Sequence, residues 1–281
     1  MTTDSGFDAP KALQARFGDG APDLPAGVFT PQMAAILSRR TVRRYTDQVP
    51  AEPLLQALCA VSLCASSKSD FQQAAILRVQ DTDIRAQIGQ LFPAMPWIVQ
   101  APVFYVFLGD ARRLERMGTQ HAIAVDNGAL EGFFNASVDA ALALQTFVLA
   151  AESAGLGCCP ISVIRNRIEA VAPLLGLPDK VFPVAGLCVG YPDGLAKLSP
   201  RLPLAVTLHT DRYDDSALPE GVAAYDHMRD ARFPLPAAQQ RGNDRHGVAD
   251  FYGWSQDKVR AAAEAEGAAF PVYLREHGFG F

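Results

Sequence analysis

No stretch of this 281-residue chain comes near the uninterrupted apolar length of about 20 residues that a membrane-crossing helix needs. The strongest candidate, Val138–Leu149, is broken by Asp139 and Gln145. The N-terminus carries no basic-then-apolar signal pattern, so a cytoplasmic protein with no membrane partner is expected. Basic residues are outnumbered, 25 against 30 acidic ones, and the net charge of −5 argues against nucleic acid as the main partner. Cysteines are few and odd in number, at positions 59, 64, 158, 159 and 188. No CxxC pairs with a second CxxC or with a spaced histidine pair, so no metal is expected. The adjacent Cys158 and Cys159 read as two small buried thiols of a reduced protein.

The common catalytic signatures are also missing. There is no G-x-S-x-G for a serine nucleophile, no GxxxxGK[ST] for nucleoside phosphates, and no pair of carboxylates placed as an acid–base couple. The five histidines (121, 209, 227, 246 and 277) are scattered without ligand spacing. "GLG" at Gly155–Gly157 closes a helix and opens a strand, the reverse of a dinucleotide-binding turn, and reads as a helix C-cap. A chain without its own acid, base or nucleophile is expected to borrow its chemistry from a cofactor.

What is present is a core. Hydrophobic residues make up 49 %, enough for one large domain or two small ones. Residues 1–30 are rich in Gly, Ala, Pro and Asp and read as a flexible or surface-draped leader. Helices are expected at Pro31–Leu37, N-capped by Thr30, and at Glu52–Cys64, Thr82–Leu91, Ile168–Leu175 and Asp257–Glu266, the last capped by Ser255. Strands are expected at Ile76–Val79, Val103–Leu108 ("VFYVFL"), Cys159–Val163 and Val184–Val189. Asn127–Gly155 is the longest helical stretch, apolar on nearly every face, which implies burial all round and is best met at a dimer interface. The alternation of elements indicates an α+β or α/β class. Beyond Tyr213 the chain turns polar and loop-like.

Against the acidic background, "SRRTVRRY" at Ser38–Tyr45 gathers four arginines in eight residues. Such a cluster either faces water or holds an anion. Two further stretches follow it in order: "AGLGCCPISVIRN" from Ala154 and "AGLCVGYPDGLAKLSPRLPL" from Ala185. Together they resemble the flavin-dependent nitroreductase family, and within it the NADPH-preferring flavin reductase and oxygen-insensitive nitroreductase branch. The resemblance runs from about Pro31 to Tyr213 and more weakly through the tail.

The resemblance implies an α+β fold with a central mixed or antiparallel sheet flanked by helices and a long buried helix at a homodimer interface. It implies an FMN-binding domain over 31–213, with a C-terminal extension over 214–281 on the NADPH and substrate side. Arg39, Arg40, Thr41 and Arg201 would face the flavin phosphate and ribityl chain, and Arg43 the ring edge where reduced flavin carries negative charge. Ser67, in "ASSKSDFQ", matches a loop that contacts flavin across the dimer. Pro160, Ile161, Ser162 and Val163 would pass along the isoalloxazine ring. Arg241 and Arg245, in "QQRGNDRHG", would grip NADPH. Two departures stand out: Ser199 occupies the place of a usual lysine, and Ser162 and Val163 replace flavin-facing glycines. The implied activity is ping-pong transfer of two electrons from NADPH through FMN to nitroaromatics, quinones or flavins. A same-fold reductive dehalogenase, a flavin-fragmenting enzyme and a non-catalytic flavin-binding protein remain as alternatives.

Overall fold

A computed structural model describes residues 7–281; the first six residues of the expected leader lie outside the described residues. The helices are α1 Ala9–Phe17, α2 Pro31–Ser38, α3 Glu52–Ser62, α4 Thr82–Leu91, α5 Trp97–Gln100, α6 Arg112–Gln120, α7 Leu130–Ser153, α8 Ile168–Leu175, α9 Leu204–Thr207, α10 Leu218–Arg232, α11 Asn243–His246, α12 Trp254–Ala262 and α13 Ala269–Glu276. The strands are β1 Ala74–Arg78, β2 Val103–Asp110, β3 Gly157–Ile161 and β4 Val181–Gly190. Contacts group these into two compact units, one of residues up to Arg39 with Lys197–Glu266, the other of Arg40–Ala196 with Gly267–Phe281.

The larger unit is built on an antiparallel sheet of order β1-β2-β4-β3, which makes the fold α+β. β2 is buried over seven of its eight residues and faces a helical layer on each side. Its alternation sorts its side chains by face. Val103, Tyr105 and Phe107 join Leu55 and Leu58 of α3 and Phe147 and Val148 of α7, while Phe104, Val106 and Leu108 join Ile88, Ile98, Ile164 and Val171. A third cluster gathers Ile168, Phe182, Tyr273, Leu274 and Phe279 around α8 and α13.

Helix α7 corrects one expectation. It spans 24 residues and is long and apolar enough by composition to cross a bilayer, more than the broken run Val138–Leu149 suggests. Within one copy it is buried on one side. Ala136, Ala140, Ala143, Phe147 and Ala151 face the unit's interior, small residues letting the helix approach the sheet closely. Leu130, Phe134, Val138 and Leu142, four residues apart, are exposed as a stripe. Asp139 is the charged exception inside, 2 % exposed. Its carboxylate accepts from the backbone N–H groups of Lys68 and Gln73, at 2.9 and 3.0 Å. Between those anchors Ser69, Asp70 and Gln72 take left-handed backbone conformations unusual for residues with a Cβ.

In the smaller unit the part of the leader that is described is not loose. Asp8 caps α1 through its carboxylate, which accepts from Lys11 N–H, and Pro10 sits in the first turn. Ala9, Leu13 and Arg16 form its buried stripe. The helix stops at Gly18, whose φ of +59° favours glycine. Helix α10 was not foreseen in the polar tail, and α12 starts three residues earlier than expected, at Trp254. Its cap is not Ser255 but the buried Asp226 of α10, whose carboxylate accepts from Ser255 N–H at 2.8 Å and also from its hydroxyl.

Asp139→Ala leaves two backbone donors without their charged acceptor. It is expected to lower the unfolding free energy by about 2–4 kcal/mol, measured by urea denaturation; an unchanged midpoint refutes that anchoring role.

Candidate active site

The arginine segment begins where α2 ends. Thr30 caps that helix through its hydroxyl, as expected, and after Ser38 the backbone becomes extended. Arg39 closes the smaller unit and Arg40 opens the larger one. Thr41 makes a parallel bridge to Cys158 on the outer edge of β3, and Val42 N–H donates to the Cys158 carbonyl at 3.0 Å. The reason is local. Val42 is buried against Gly157, where a Cβ would stand 2.6 Å from Val42 Cγ2, so only glycine admits this approach. The second glycine of "GLG" therefore serves strand packing, while the first, Gly155 at φ +80°, ends α7 as expected.

Extension also explains how four arginines coexist. Successive side chains of an extended chain point apart. The Arg43 guanidinium lies 5.4 Å from the Trp97 ring centroid, and Arg44 donates to the Asp193 carbonyl at 3.4 Å. Tyr45 donates its hydroxyl to the Val42 carbonyl at 2.6 Å, and burial pushes its pKa well above the usual range. Burial likewise raises the Cys159 thiol, against which the neighbouring Arg43 charge pulls down. Cys158 and Cys159 are buried and are not in disulfides.

β3 ends at Ile161, two residues short of the expected strand, and Ser162–Arg167 continues as a 3-10 turn. Ile161 is buried, Val163 packs against the core cluster on that side of the sheet, and Pro160 and Ser162 are exposed. In the segment running beside Thr41, Pro160 and Ser162 thus face solvent, whereas Ile161 and Val163 anchor it to the core. Ser67 sits on the loop anchored by Asp139. Its hydroxyl accepts from Gln72 N–H at 3.3 Å, and it lines a cavity of about 300 Å³ with Ser66, Arg113 and Asp139.

The smaller unit carries the other predicted residues. Ser199 and Arg201 line a cavity of about 620 Å³ together with Phe17, Tyr225, Arg229 and Trp254. Arg201 is exposed, its guanidinium donating to the Pro200 carbonyl at 3.0 Å. Lys197, two positions before Ser199, lies over the Phe233 ring, 5.3 Å from its centroid. Arg241 is tied into a network: its backbone N–H donates to the Tyr252 hydroxyl at 3.0 Å, its carbonyl accepts from Arg260, and its guanidinium is 3.3 Å from Asp257. Burial acts to raise the Asp257 pKa, but Lys258 and Arg241 outweigh it and the carboxyl is held below the usual range. Arg245 is exposed and 4.0 Å from its neighbour Asp244.

The donor chemistry suits a phosphorylated ring cofactor. Guanidinium groups and the Thr41 hydroxyl match phosphate and polyol oxygens, so the residues present fit FMN. Three positioning residues were not legible in the sequence: Arg16, Trp97 and Asp139. For Arg16 and Asp139 the signal available was a charge at the i, i+4, i+7 spacing of a buried helix face.

Comparison with known proteins agrees with this chemistry. The nitroreductase family profile matches residues 36–191, and the C-terminal domain of that family matches 199–281. The FMN reductase [NAD(P)H] of Bacillus subtilis is 35 % identical over 196 residues, covering 68 % of this chain and 78 % of that protein. The oxygen-insensitive NADPH nitroreductase of Salmonella typhimurium is 33 % identical over 185 residues, covering 66 % and 75 %. Among solved structures, NfrA2 of B. megaterium superposes with a TM-score of 0.81 at 29 % identity, covering 90 % of this chain and 99 % of that one.

Proposed function

The chain belongs to the nitroreductase family, and from that membership we propose that it is an FMN-dependent NAD(P)H oxidoreductase acting on small electron acceptors, with nitroaromatics, quinones and flavins as the substrate class. The observation that carries this reading is the anchoring of Thr41 and Val42 on Cys158, which runs the arginine segment alongside the exposed end of β3. The names of the relatives support it, one an FMN reductase and the other an oxygen-insensitive NADPH nitroreductase. FMN, when bound, would supply the two-electron redox chemistry between NADPH and the acceptor, in ping-pong order. The chain's own residues bind and orient. Arg39, Arg40, Thr41 and Arg201 are assigned to the phosphate and ribityl oxygens, with Ser199 alongside; Pro160, Ile161, Ser162 and Val163 to the ring; and Ser67 to the flavin of a partner copy. A cytoplasmic location accords with the reduced thiols.

The test is spectroscopic. Protein loaded with FMN is expected to bleach with NADPH under argon and recolour with a quinone. A colourless preparation that FMN cannot restore overturns the reading; flavin that binds but does not bleach leaves a flavin-binding protein without turnover.

Arg43 is the cation assigned to the ring edge. It stacks on Trp97 and is exposed on its other side, so it can add its charge where reduced flavin is negative. Arg43→Ala is expected to retain FMN but make it harder to reduce, by about 1.5–3 kcal/mol, the worth of a charge-assisted contact. A redox titration giving an unchanged midpoint potential removes the assignment.

For the nicotinamide partner, Arg241 and Arg245 are assigned to the 2′-phosphate of NADPH. Asp257 keeps Lys258 at 2.6 Å, so Arg241 can turn to a phosphate without stranding the carboxylate. Arg241→Ala is expected to raise KM for NADPH several-fold, about 1–2 kcal/mol of charge-assisted binding, and to leave KM for NADH unchanged. Equal effects on both cofactors would refute recognition of that phosphate.

The stripe Leu130, Phe134, Val138 and Leu142 is assigned to a homodimer interface, since exposed apolar faces of this kind mark association. Leu142→Asp is expected to give a folded monomer by sedimentation. Leu144→Asp, at a position buried within one copy, is expected not to fold at all. A parent chain that sediments as a monomer with FMN fully bound overturns the dimer.

A further inference from the structure

Arg16 is a charged residue in a place where charge is costly. Only 4 % of it is exposed, on the inner face of α1, and a buried cation must find strong acceptors. It finds backbone carbonyls from two segments far apart in sequence. Nε donates to Leu37 O at 2.7 Å and Nη2 to Arg39 O at 2.5 Å, at the end of α2; Nη1 donates to Ser199 O at 2.6 Å. In return the Arg16 carbonyl accepts from Arg201 N–H at 2.6 Å. One residue therefore holds the peptides of both arginines assigned to the phosphate on this unit.

The helix that carries it is itself fastened. Arg232 of α10 donates to the carbonyls of Ala15 and Gln14, at 2.7 and 3.3 Å, closing the α1 C-terminus with a cation where the helix dipole favours one. Gly18 packs on Met228, and Phe17, the next residue after Arg16, lines the same cavity as Arg201. This helix lies outside both stretches matched by the family, which begin at residue 36 and residue 199.

We propose that Arg16 is a positioning residue for phosphate recognition: from helix α1 it sets the backbone of Arg39 and of Ser199–Arg201, so that the two arginines meet the phosphate ester of a flavin nucleotide. The inference rests on the functional reading above. A planar guanidinium can bridge three carbonyls in fixed directions; a lysine ammonium on a flexible stem cannot hold the same geometry.

The experiment compares flavins that differ only in the phosphate. Dissociation constants for FMN and riboflavin are measured by fluorescence titration on the full-length parent, Arg16→Ala, Arg16→Lys and Arg201→Ala. Arg16→Ala and Arg16→Lys are expected to weaken FMN by about tenfold, which corresponds to about 1.4 kcal/mol, with riboflavin binding unchanged. A general loosening of the fold weakens both flavins alike and overturns the proposal, as does an unaltered FMN affinity. Arg201→Ala separates the two levels of inference. If it too leaves the FMN-to-riboflavin ratio untouched, the phosphate assignment has failed; if it lowers the ratio while the Arg16 variants do not, only the positioning role has failed. Should Arg16→Ala not fold, Arg16→Lys, which retains charge and most of the volume, supplies the same comparison.

Discussion

The burial of β2 on both faces is the constraint from which the larger unit follows. A strand apolar on one face needs one covering layer; "VFYVFL" presents large side chains in both directions and needs two. Tyr105 and Phe107 call for α3 and α7 on one side, Phe104 and Val106 for the helices α4, α5 and α8 on the other. β4 pairs with β2, and β3 with β4, so β1 and β3 are the edges of the sheet, and the outer edge of β3 is one of two that can bind an extended chain. The arginine segment takes that edge, and Gly157 lets Val42 close on it. The location of the cationic segment is thus a consequence of how the sheet satisfies its central strand.

A second theme is the use of buried charge to hold irregular backbone. Asp139 holds a loop with three left-handed residues, Asp226 caps α12, and Arg16 gathers the ends of two segments. Each is a single charged side chain meeting two or more polar groups, and such bonds are stronger than neutral ones. The loop carrying Ser67 has little apolar surface to bury, so packing alone gives it no unique shape. A buried charge imposes one, because leaving it without partners is expensive. The cost falls on stability, and the gain is placement of side chains that contact a ligand.

The same reasoning accounts for an acidic protein that handles anionic cofactors. Net charge acts over long range and is screened within about 8–10 Å at physiological salt. Recognition of a phosphate depends on a few guanidiniums at short range. Here the guanidiniums are spread along extended or loop segments, which keeps them from repelling one another.

Strands were recognisable at 76–79 and 103–108, within a residue or two of β1 and β2, as were helices at 82–91 and 168–175 and the α2 cap at Thr30, because each depends on neighbours within one turn or on a two-residue alternation. The sequence by itself also determined the family, through three motifs in fixed order. It could not disclose α1, because the stripe Ala9, Leu13, Arg16 puts an arginine where an apolar residue would signal burial, and the carbonyls that make that burial tolerable come from residues 37, 39 and 199. Nor could it show that Ser255 is capped and not capping, since the acceptor lies on α10, 29 residues away. The all-round apolar character of α7 was legible, but which side meets the sheet was not: Leu142 and Leu144 are alike in sequence and opposite in exposure. Local propensity writes itself into short stretches of chain, whereas the partner of a buried charge and the inner face of an apolar helix are decided by what the fold brings beside them.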